Sequence, residues 1–143
     1  MLKAYIATGL ERAADHNLVR DALAKWDVEC SYDWTAHGAV FSHGLERLRE
    51  VADLEARGVR DANVVVVLLP GGRGTHAELG MAIALGKPVI LHSMNPKSDF
   101  GAEETTCAFY HHPKCTQLSK FNTNPDIDWF NVVAAVAHLM ACG

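Results

Sequence analysis

Cysteine is scarce in this 143-residue chain, and its four copies lack the spacing of a disulfide framework or a common zinc site. They stand at Cys30, Cys107, Cys115 and Cys142, with no C-x-x-C pair. One segment does combine zinc-binding residue types, because it contains Cys107, His111, His112 and Cys115. Its spacing matches no common finger or ribbon, and the Phe109-Tyr110 pair within it is typical of a strand. We therefore predict reduced thiols, no metal ion and no other cofactor.

An excess of positive charge and long apolar runs are also missing. The formal net charge is -4 and the isoelectric point is near 6.0, whereas nucleic-acid-binding proteins usually carry a basic face. No apolar run approaches the roughly 20 residues that span a membrane. A strand-like pattern begins directly after Met1, which argues against a signal peptide. These absences argue against nucleic-acid and membrane partners and favour a cytoplasmic protein.

The chain does contain an alternation of strand-like and helix-like segments. Apolar residues make up 49% of it, and the run NVVVVLL at 63–69 is typical of a central parallel strand buried on both faces. The predicted strands are 3–8, 28–34, 63–69, 89–92 and 107–110, and the predicted helices are 10–26, 43–57, 75–85 and 127–142. Residues 1–143 are therefore predicted to form a single α/β domain. Its doubly wound, flavodoxin-like sheet has about five parallel strands with helices on both faces.

Ligands of doubly wound sheets bind beyond the carboxyl ends of the strands, so the loops after the first three strands hold the predicted site. In the turn PGGRG at 70–74, backbone N–H groups and the start of a helix suit a phosphate or sugar hydroxyls. The predicted substrate-binding residues of these loops are Thr8, Gly9, Asp33, Trp34, Gly72, Arg73 and Gly74. For Trp34, packing in the core is the alternative explanation.

Glu78, in the helix after the glycine turn, has two explanations. Thr75 and Glu78 have the spacing of a capping box, in which the glutamate accepts a backbone N–H at the start of the helix. Alternatively, Glu78 faces the same edge of the sheet as the glycine turn and takes part in chemistry. The spacing alone does not decide between them.

A longer motif around Glu78 gives a family resemblance. The segment 63–91 joins an apolar strand and a glycine-rich turn to the pattern G-T-x-x-E-L-G-x-A and then G-K-P. It resembles the core of the nucleoside 2-deoxyribosyltransferase family, and KAYIATG at 3–9 resembles that family's first strand. The resemblance extends over about residues 3–92. It implies an enzyme that cleaves the N-glycosidic bond of a small-molecule nucleoside or nucleotide.

The resemblance also implies catalytic roles for individual residues. Glu78 matches the glutamate that attacks the anomeric carbon, and Tyr5 matches the tyrosine that orients it; a satisfied core tyrosine is the alternative. The second carboxylate is Glu55 by its spacing from Asn63, with Asp53 as the rival because leucine follows it. Two carboxyls suit the oxocarbenium-like transition state, and the helix N-terminus is expected to keep Glu78 ionised.

Family members build their sites at subunit contacts, so the resemblance implies a homo-oligomer with shared active sites. His111, in the segment 111–117, is the predicted residue that closes the pocket of a neighbouring chain.

The reaction itself has several interpretations. Transfer of a deoxyribosyl group to another base is favoured, while a 2'-deoxynucleoside 5'-monophosphate N-hydrolase would hold the phosphate with Arg12 and Arg73. The pattern P-G-G-x-G-T-x-x-E at 70–78 also matches a phosphoribohydrolase family labelled lysine-decarboxylase-like. A non-catalytic nucleotide-binding module stays open as well, because fold does not fix function.

Overall fold

Five parallel strands form one sheet in the computed structural model, which describes residues 1–102, 104–119 and 125–142. The strands are β1 (Leu2–Ala7), β2 (Val28–Cys30), β3 (Val64–Leu68), β4 (Val89–Ser93) and β5 (Cys115–Ser119). Their order across the sheet is β2-β1-β3-β4-β5, and every neighbouring pair is parallel. This is the flavodoxin-like order, so the predicted fold class is confirmed.

Helices cover both faces of the sheet. The helices are α1 (Ala13–Ala24), α2 (Leu45–Asp61), α3 (Arg73–Ala84), α4 (Pro96–Phe100) and α5 (Pro125–Cys142). α1 and α5 pack on one face, and α2 and α3 pack on the other. Short 3-10 turns lie at Leu10–Arg12, Trp34–Ala36, Phe41–His43 and Ala108–His111.

Alternation along the central strands divides the core into two layers. In β1, Ala4 and Ile6 face α1 and α5, whereas Tyr5 and Ala7 face α2 and α3. All five residues of β3 are fully buried, which explains why its sequence is an unbroken β-branched and leucine run. The alternation places the Tyr5 ring under α2 and α3, on the side where the glycine turn leads into α3.

The fifth strand was predicted in the wrong place. Residues 107–110 were expected to be a strand, but Ala108–His111 form a 3-10 turn, and β5 follows at Cys115–Ser119. Tyr110 is buried by packing against Phe100 and His76 rather than by strand pairing. β5 lies at the edge of the sheet with Thr116 and Gln117 exposed, so its apolar signal is weak.

Two other predicted boundaries are also wrong. Gly58 was expected to end the second helix, yet it lies inside α2, which continues to Asp61. The glycine is needed there for close packing, because a Cβ would lie 2.7 Å from Tyr32 Cβ and 2.9 Å from Tyr5 Cδ2. β2 ends at Cys30 instead of reaching 34, since the Asp33 side chain caps the turn Trp34–Ala36 by accepting the Thr35 N–H.

In the described ranges, no helix has the length and apolar character needed to cross a membrane.

Candidate active site

A cavity of about 490 Å³ opens at the carboxyl ends of β1 and β3, where the strand order reverses. Side chains hold this edge together by donating to backbone carbonyls at the strand ends. Thr8 Oγ1 donates to Leu68 O at 2.8 Å, and Trp34 Nε1 donates to Ile6 O at 2.8 Å. These hydrogen bonds fix the loops to the strand ends, and the same loops form the walls of the cavity.

The walls come from four segments of the chain. Thr8, Gly9, Leu10 and Glu11 follow β1; Trp34 and residues 37–41 follow β2; Leu48, Val51, Ala52 and Glu55 belong to α2; and Gly72, Gly74, Thr75 and Glu78 belong to the turn and start of α3. The cavity thus unites the loops that sequence reasoning selected. It combines an apolar wall from α2 with glutamates that reach it from three different segments.

Glu78 forms a hydrogen bond with Tyr5 and does not act as a helix cap. The Tyr5 hydroxyl donates to Glu78 Oε2, and both side chains are buried. α3 starts at Arg73 with Gly72 at its N-cap position and no side-chain capping bond, so Glu78 is the sixth residue of the helix. The capping-box interpretation is therefore wrong, because Thr75 lies inside the helix rather than at its N-cap and the Glu78 carboxyl is bonded to Tyr5.

Burial raises the pKa of Glu78 to about 8; hydrogen-bond donation by Tyr5 lowers it, and the nearby Glu55 charge raises it further. Burial, followed by the Glu78 charge, also raises the pKa of Tyr5, so its hydroxyl remains a donor. The expectation that the helix N-terminus keeps Glu78 ionised is wrong. The helix dipole acts mainly within the first turn, and Glu78 lies beyond that turn. Desolvation by burial therefore has the larger effect on the pKa of Glu78.

The structure brings Glu55 into the same cavity and leaves Asp53 outside it. Glu55 is 28% exposed, and its Oε1 lies 3.9 Å from His37 Nε2. Asp53 is 60% exposed and pairs with Arg57 on the outer side of α2. Burial raises the pKa of Glu55, while the neighbouring His37 lowers it. The surroundings of Glu55 thus favour its protonated form, and Glu55 lines the same cavity as Glu78.

The glycine turn brings backbone close to the cavity. Gly72 and Gly74 line the cavity, and a Cβ added to either would meet no atom within 4 Å. Gly71 has a packing role, because a Cβ there would overlap Thr75. Arg73 begins α3 with its side chain exposed and is not part of the lining.

The two predicted residues after β2 have different surroundings. Trp34 lines the cavity and is also 6% exposed, with its indole in the core on the α2–α3 side, so both explanations apply to it. Asp33 does not line the cavity. Its carboxylate accepts hydrogen bonds from Arg20 Nη1 at 2.7 Å and from Thr35, which makes it a brace for the turn that carries Trp34.

His111 lies away from the cavity of its own chain, on the turn before β5. Its Nε2 is 2.9 Å from Thr106 Oγ1, and its Nδ1 is 3.3 Å from Gln117 Nε2. The neighbouring Cys115 Sγ donates to Phe109 O at 3.4 Å. Across residues 1–102, 104–119 and 125–142, no three His, Cys, Asp or Glu side chains converge as metal ligands would.

Sequence reasoning missed several lining residues, and Glu11 carries a charge among them. Glu11 lies in the 3-10 turn that follows Gly9. The only available signal was adjacency to the strand ends. Such loops show no periodicity that assigns a direction to each side chain.

Comparison with known proteins gives a family match. The family model described as nucleoside 2-deoxyribosyltransferase matches residues 4–108, well over half of the chain. No curated protein matches the sequence at a significant level. Among solved structures, the Clostridium botulinum CMP N-glycosidase superposes with a TM-score of 0.61 at 12% identity, covering 93% of this chain and 98% of that one. At that identity the superposition supports the fold.

The matched segment contains both the first strand with Tyr5 and the glycine turn with Glu78, the two parts that meet at the cavity. The chain therefore belongs to the nucleoside 2-deoxyribosyltransferase family and is an enzyme that cleaves N-glycosidic bonds.

Proposed function

We propose that this enzyme transfers a deoxyribosyl group from a nucleoside to another base, with Glu78 as the nucleophile. The observation that carries the proposal is the buried Tyr5–Glu78 hydrogen bond at the floor of a cavity that also contains Glu55. Tyr5 fixes the direction of the Glu78 carboxylate, as a nucleophile aimed at one carbon requires. Glu55 supplies the second carboxyl that acid–base chemistry at the base requires.

The first step forms a glycosyl-enzyme. A Glu78 carboxylate oxygen bonds to the anomeric carbon while the bond from that carbon to the base nitrogen breaks. The electron pair stays on the nitrogen, which takes a proton from Glu55. Because the pKa of Glu55 is raised by burial, this carboxyl is suited to hold that proton beforehand.

The second step reverses the first with a new base. A nitrogen of the incoming base attacks the anomeric carbon, the bond to Glu78 breaks, and Glu55 recovers a proton from the attacking nitrogen. Two displacements give net retention at the anomeric carbon. Trp34 and the loop 37–41, which form the wall beside α2, are the proposed cover that keeps water from the intermediate.

The test is an incubation with a 2'-deoxynucleoside, with and without a second free base. We expect a new nucleoside with retained configuration, detected by chromatography and nuclear magnetic resonance. Glu78→Gln should lower the rate by at least ~10³-fold, or ~4 kcal/mol of barrier, because the amide cannot form the ester intermediate. Glu50→Gln is the matched control, since Glu50 is exposed on α2 and pairs with Arg47. Normal activity in Glu78→Gln would refute the mechanism.

Hydrolysis is the second candidate function. The Clostridium botulinum structure with the same fold is described as a CMP N-glycosidase. In a hydrolase, water rather than a second base would take the sugar from Glu78. A hydrolase releases base at a rate indifferent to added acceptor and forms no new nucleoside. That result would replace transfer with hydrolysis and leave the role of Glu78 intact.

A further inference from the structure

The charged side chains of the cavity affect whether a substrate with a phosphoryl group can bind, given the proposed function. Three glutamates, Glu11, Glu55 and Glu78, line the cavity together with His37. In the part of the chain that the structure describes, no arginine or lysine is in the lining. The lining therefore has no arginine or lysine to pair with a phosphoryl group, and at its exposed side it presents the Glu11 carboxylate, which would repel one.

The nearest arginines along the chain do not supply that cation. Arg12 Nη1 donates to Leu69 O at 2.7 Å, and Arg12 Nε pairs with Asp15 at 3.0 Å. Its guanidinium is therefore committed to the strand end and to α1. Arg73 is exposed at the first position of α3 and stays outside the lining. A 5'-phosphate at the exposed side of the cavity would meet the Glu11 carboxylate with no arginine or lysine of the lining to offset it, and would have only the backbone of the glycine turn as a source of N–H donors.

Glu11 is the carboxylate best placed to act on that part of a substrate. It lies in the turn Leu10–Arg12, which begins directly after Gly9, two residues beyond the end of β1. Its carboxylate folds back over Gly9, because a Cβ on Gly9 would overlap it. Glu11 thus sits over the end of β1 at the exposed side of the cavity, whereas Glu55 and Glu78 lie deeper.

We propose that Glu11 is a specificity-determining residue that repels phosphoryl groups, so that the cavity accepts uncharged nucleosides and rejects their 5'-monophosphates. The repulsion acts between a carboxylate and a group of about two negative charges at pH 7. Because Glu11 is exposed, salt screens the repulsion, and the discrimination weakens as ionic strength rises.

The experiment compares kcat/KM for the common 2'-deoxynucleosides and their 5'-monophosphates in the unmodified enzyme, Glu11→Gln and Glu11→Lys. We expect the ratio of nucleoside to monophosphate to fall at least about fivefold in Glu11→Gln and further in Glu11→Lys. The ratio should also fall with added salt in the unmodified enzyme only. Glu50→Gln, an exposed glutamate outside the cavity, should leave the ratio unchanged.

Binding keeps this test separate from the proposed function. If no protein releases base, the proposed reaction fails, and calorimetric Kd values for the same compounds decide the role of Glu11. Tighter binding of the nucleoside than of the monophosphate, with the difference reduced in Glu11→Gln, supports the proposal. A monophosphate that binds or reacts as well as its nucleoside, a ratio insensitive to both substitutions, or no binding of either compound would overturn it.

Discussion

Burial of Glu78 determines how the reaction should depend on pH. With its pKa at about 8, the carboxyl is mostly protonated at neutral pH and gains its nucleophilic charge as pH rises. We expect kcat/KM for base release to be bell-shaped in pH, because Glu78 must lose its proton while Glu55 must keep its own. The rate should rise on the acid side as Glu78 ionises and fall above about pH 8, where Glu55 no longer holds a proton. A pH–rate profile measures this directly, and a rate that does not fall above about pH 8 would show that base release does not need a protonated Glu55.

Tyr5 lowers the pKa of Glu78 and Glu55 raises it. Substitutions of the two residues should therefore move the midpoint of the Glu78 ionisation in opposite directions. Tyr5→Phe removes a hydrogen bond that favours the charged carboxylate, so the midpoint should move to higher pH. Glu55→Gln removes a negative charge that disfavours it, so the midpoint should move to lower pH. Shifts in the same direction for both variants would contradict this account of the site.

Two of the carboxylates on α2, Glu55 and Asp53, provide a matched pair of variants. Glu55→Gln should lower base release by at least ~10²-fold, because the departing base loses its proton donor. Asp53→Asn, two residues away, should leave the rate within about twofold, because Asp53 faces solvent and pairs with Arg57. Initial rates on one deoxynucleoside compare them. The reverse pattern would make Asp53 the functional residue.

At this scale the sequence located Glu78 and Tyr5 but left Glu55 and Asp53 unresolved, for a geometric reason. Successive helical residues are about 100° apart, so two residues separated by two positions point to opposite sides. Only one of Glu55 and Asp53 can therefore face the cavity. The sequence pattern allowed either residue as the second carboxylate, because it did not fix the position to better than two residues. The phase of α2 is set by its packing under the sheet. In the same way, the brace around Asp33 depends on Arg20, which comes from α1.

Among the secondary-structure elements, α2 packs closely against the site, because Gly58 lies next to the Tyr5 ring. Gly58→Ala should destabilise the protein by about 1–3 kcal/mol, because the new methyl group meets Tyr5 and Tyr32. Gly80→Ala is the matched control within α3, where a Cβ meets nothing within 4 Å, and it should stabilise by about 0.5–1 kcal/mol. Urea unfolding measures both, and equal stability of the two variants would contradict the packing described here.

Elements buried on both faces were predictable, and elements at the edge were not. β3 repeats valine because each of its side chains enters one of the two core layers, and this pattern is visible in sequence. β5 has exposed polar residues and pairs only with β4, so its sequence resembles a loop. Phe109 and Tyr110 imitate a strand, although Tyr110 is buried through ring contacts that no local pattern contains.

For the whole molecule, we propose assembly of at least two chains with shared sites. Phe41 lines the cavity but is 77% exposed, and nearby Leu45 is 68% exposed, so a neighbouring chain would cover apolar surface at the mouth. His111 of that neighbour remains the proposed closing residue. Light scattering should give a mass of two chains or more, and a monomeric active enzyme would refute a shared site.

Mixing inactive variants tests the sharing itself. Chains with Glu78→Gln and chains with His111→Ala should regain activity when unfolded and refolded together, because a mixed oligomer contains one cavity with both groups intact. Glu78→Gln mixed with Glu55→Gln is the control, since both groups belong to one chain's cavity and the gain should be absent. No gain in the first mixture would place the whole site within a single chain.

The hydrogen bond between Tyr5 and Glu78 joins residues that are 73 positions apart in the chain. Such a contact forms only after the intervening polypeptide has closed a long loop, which is slow compared with helix formation. During refolding, helical signal can therefore return while the reacting group is still undirected. The time at which product formation returns during refolding therefore reports when β1 and β3 have paired. A spectroscopic signal from the helices would not report that event.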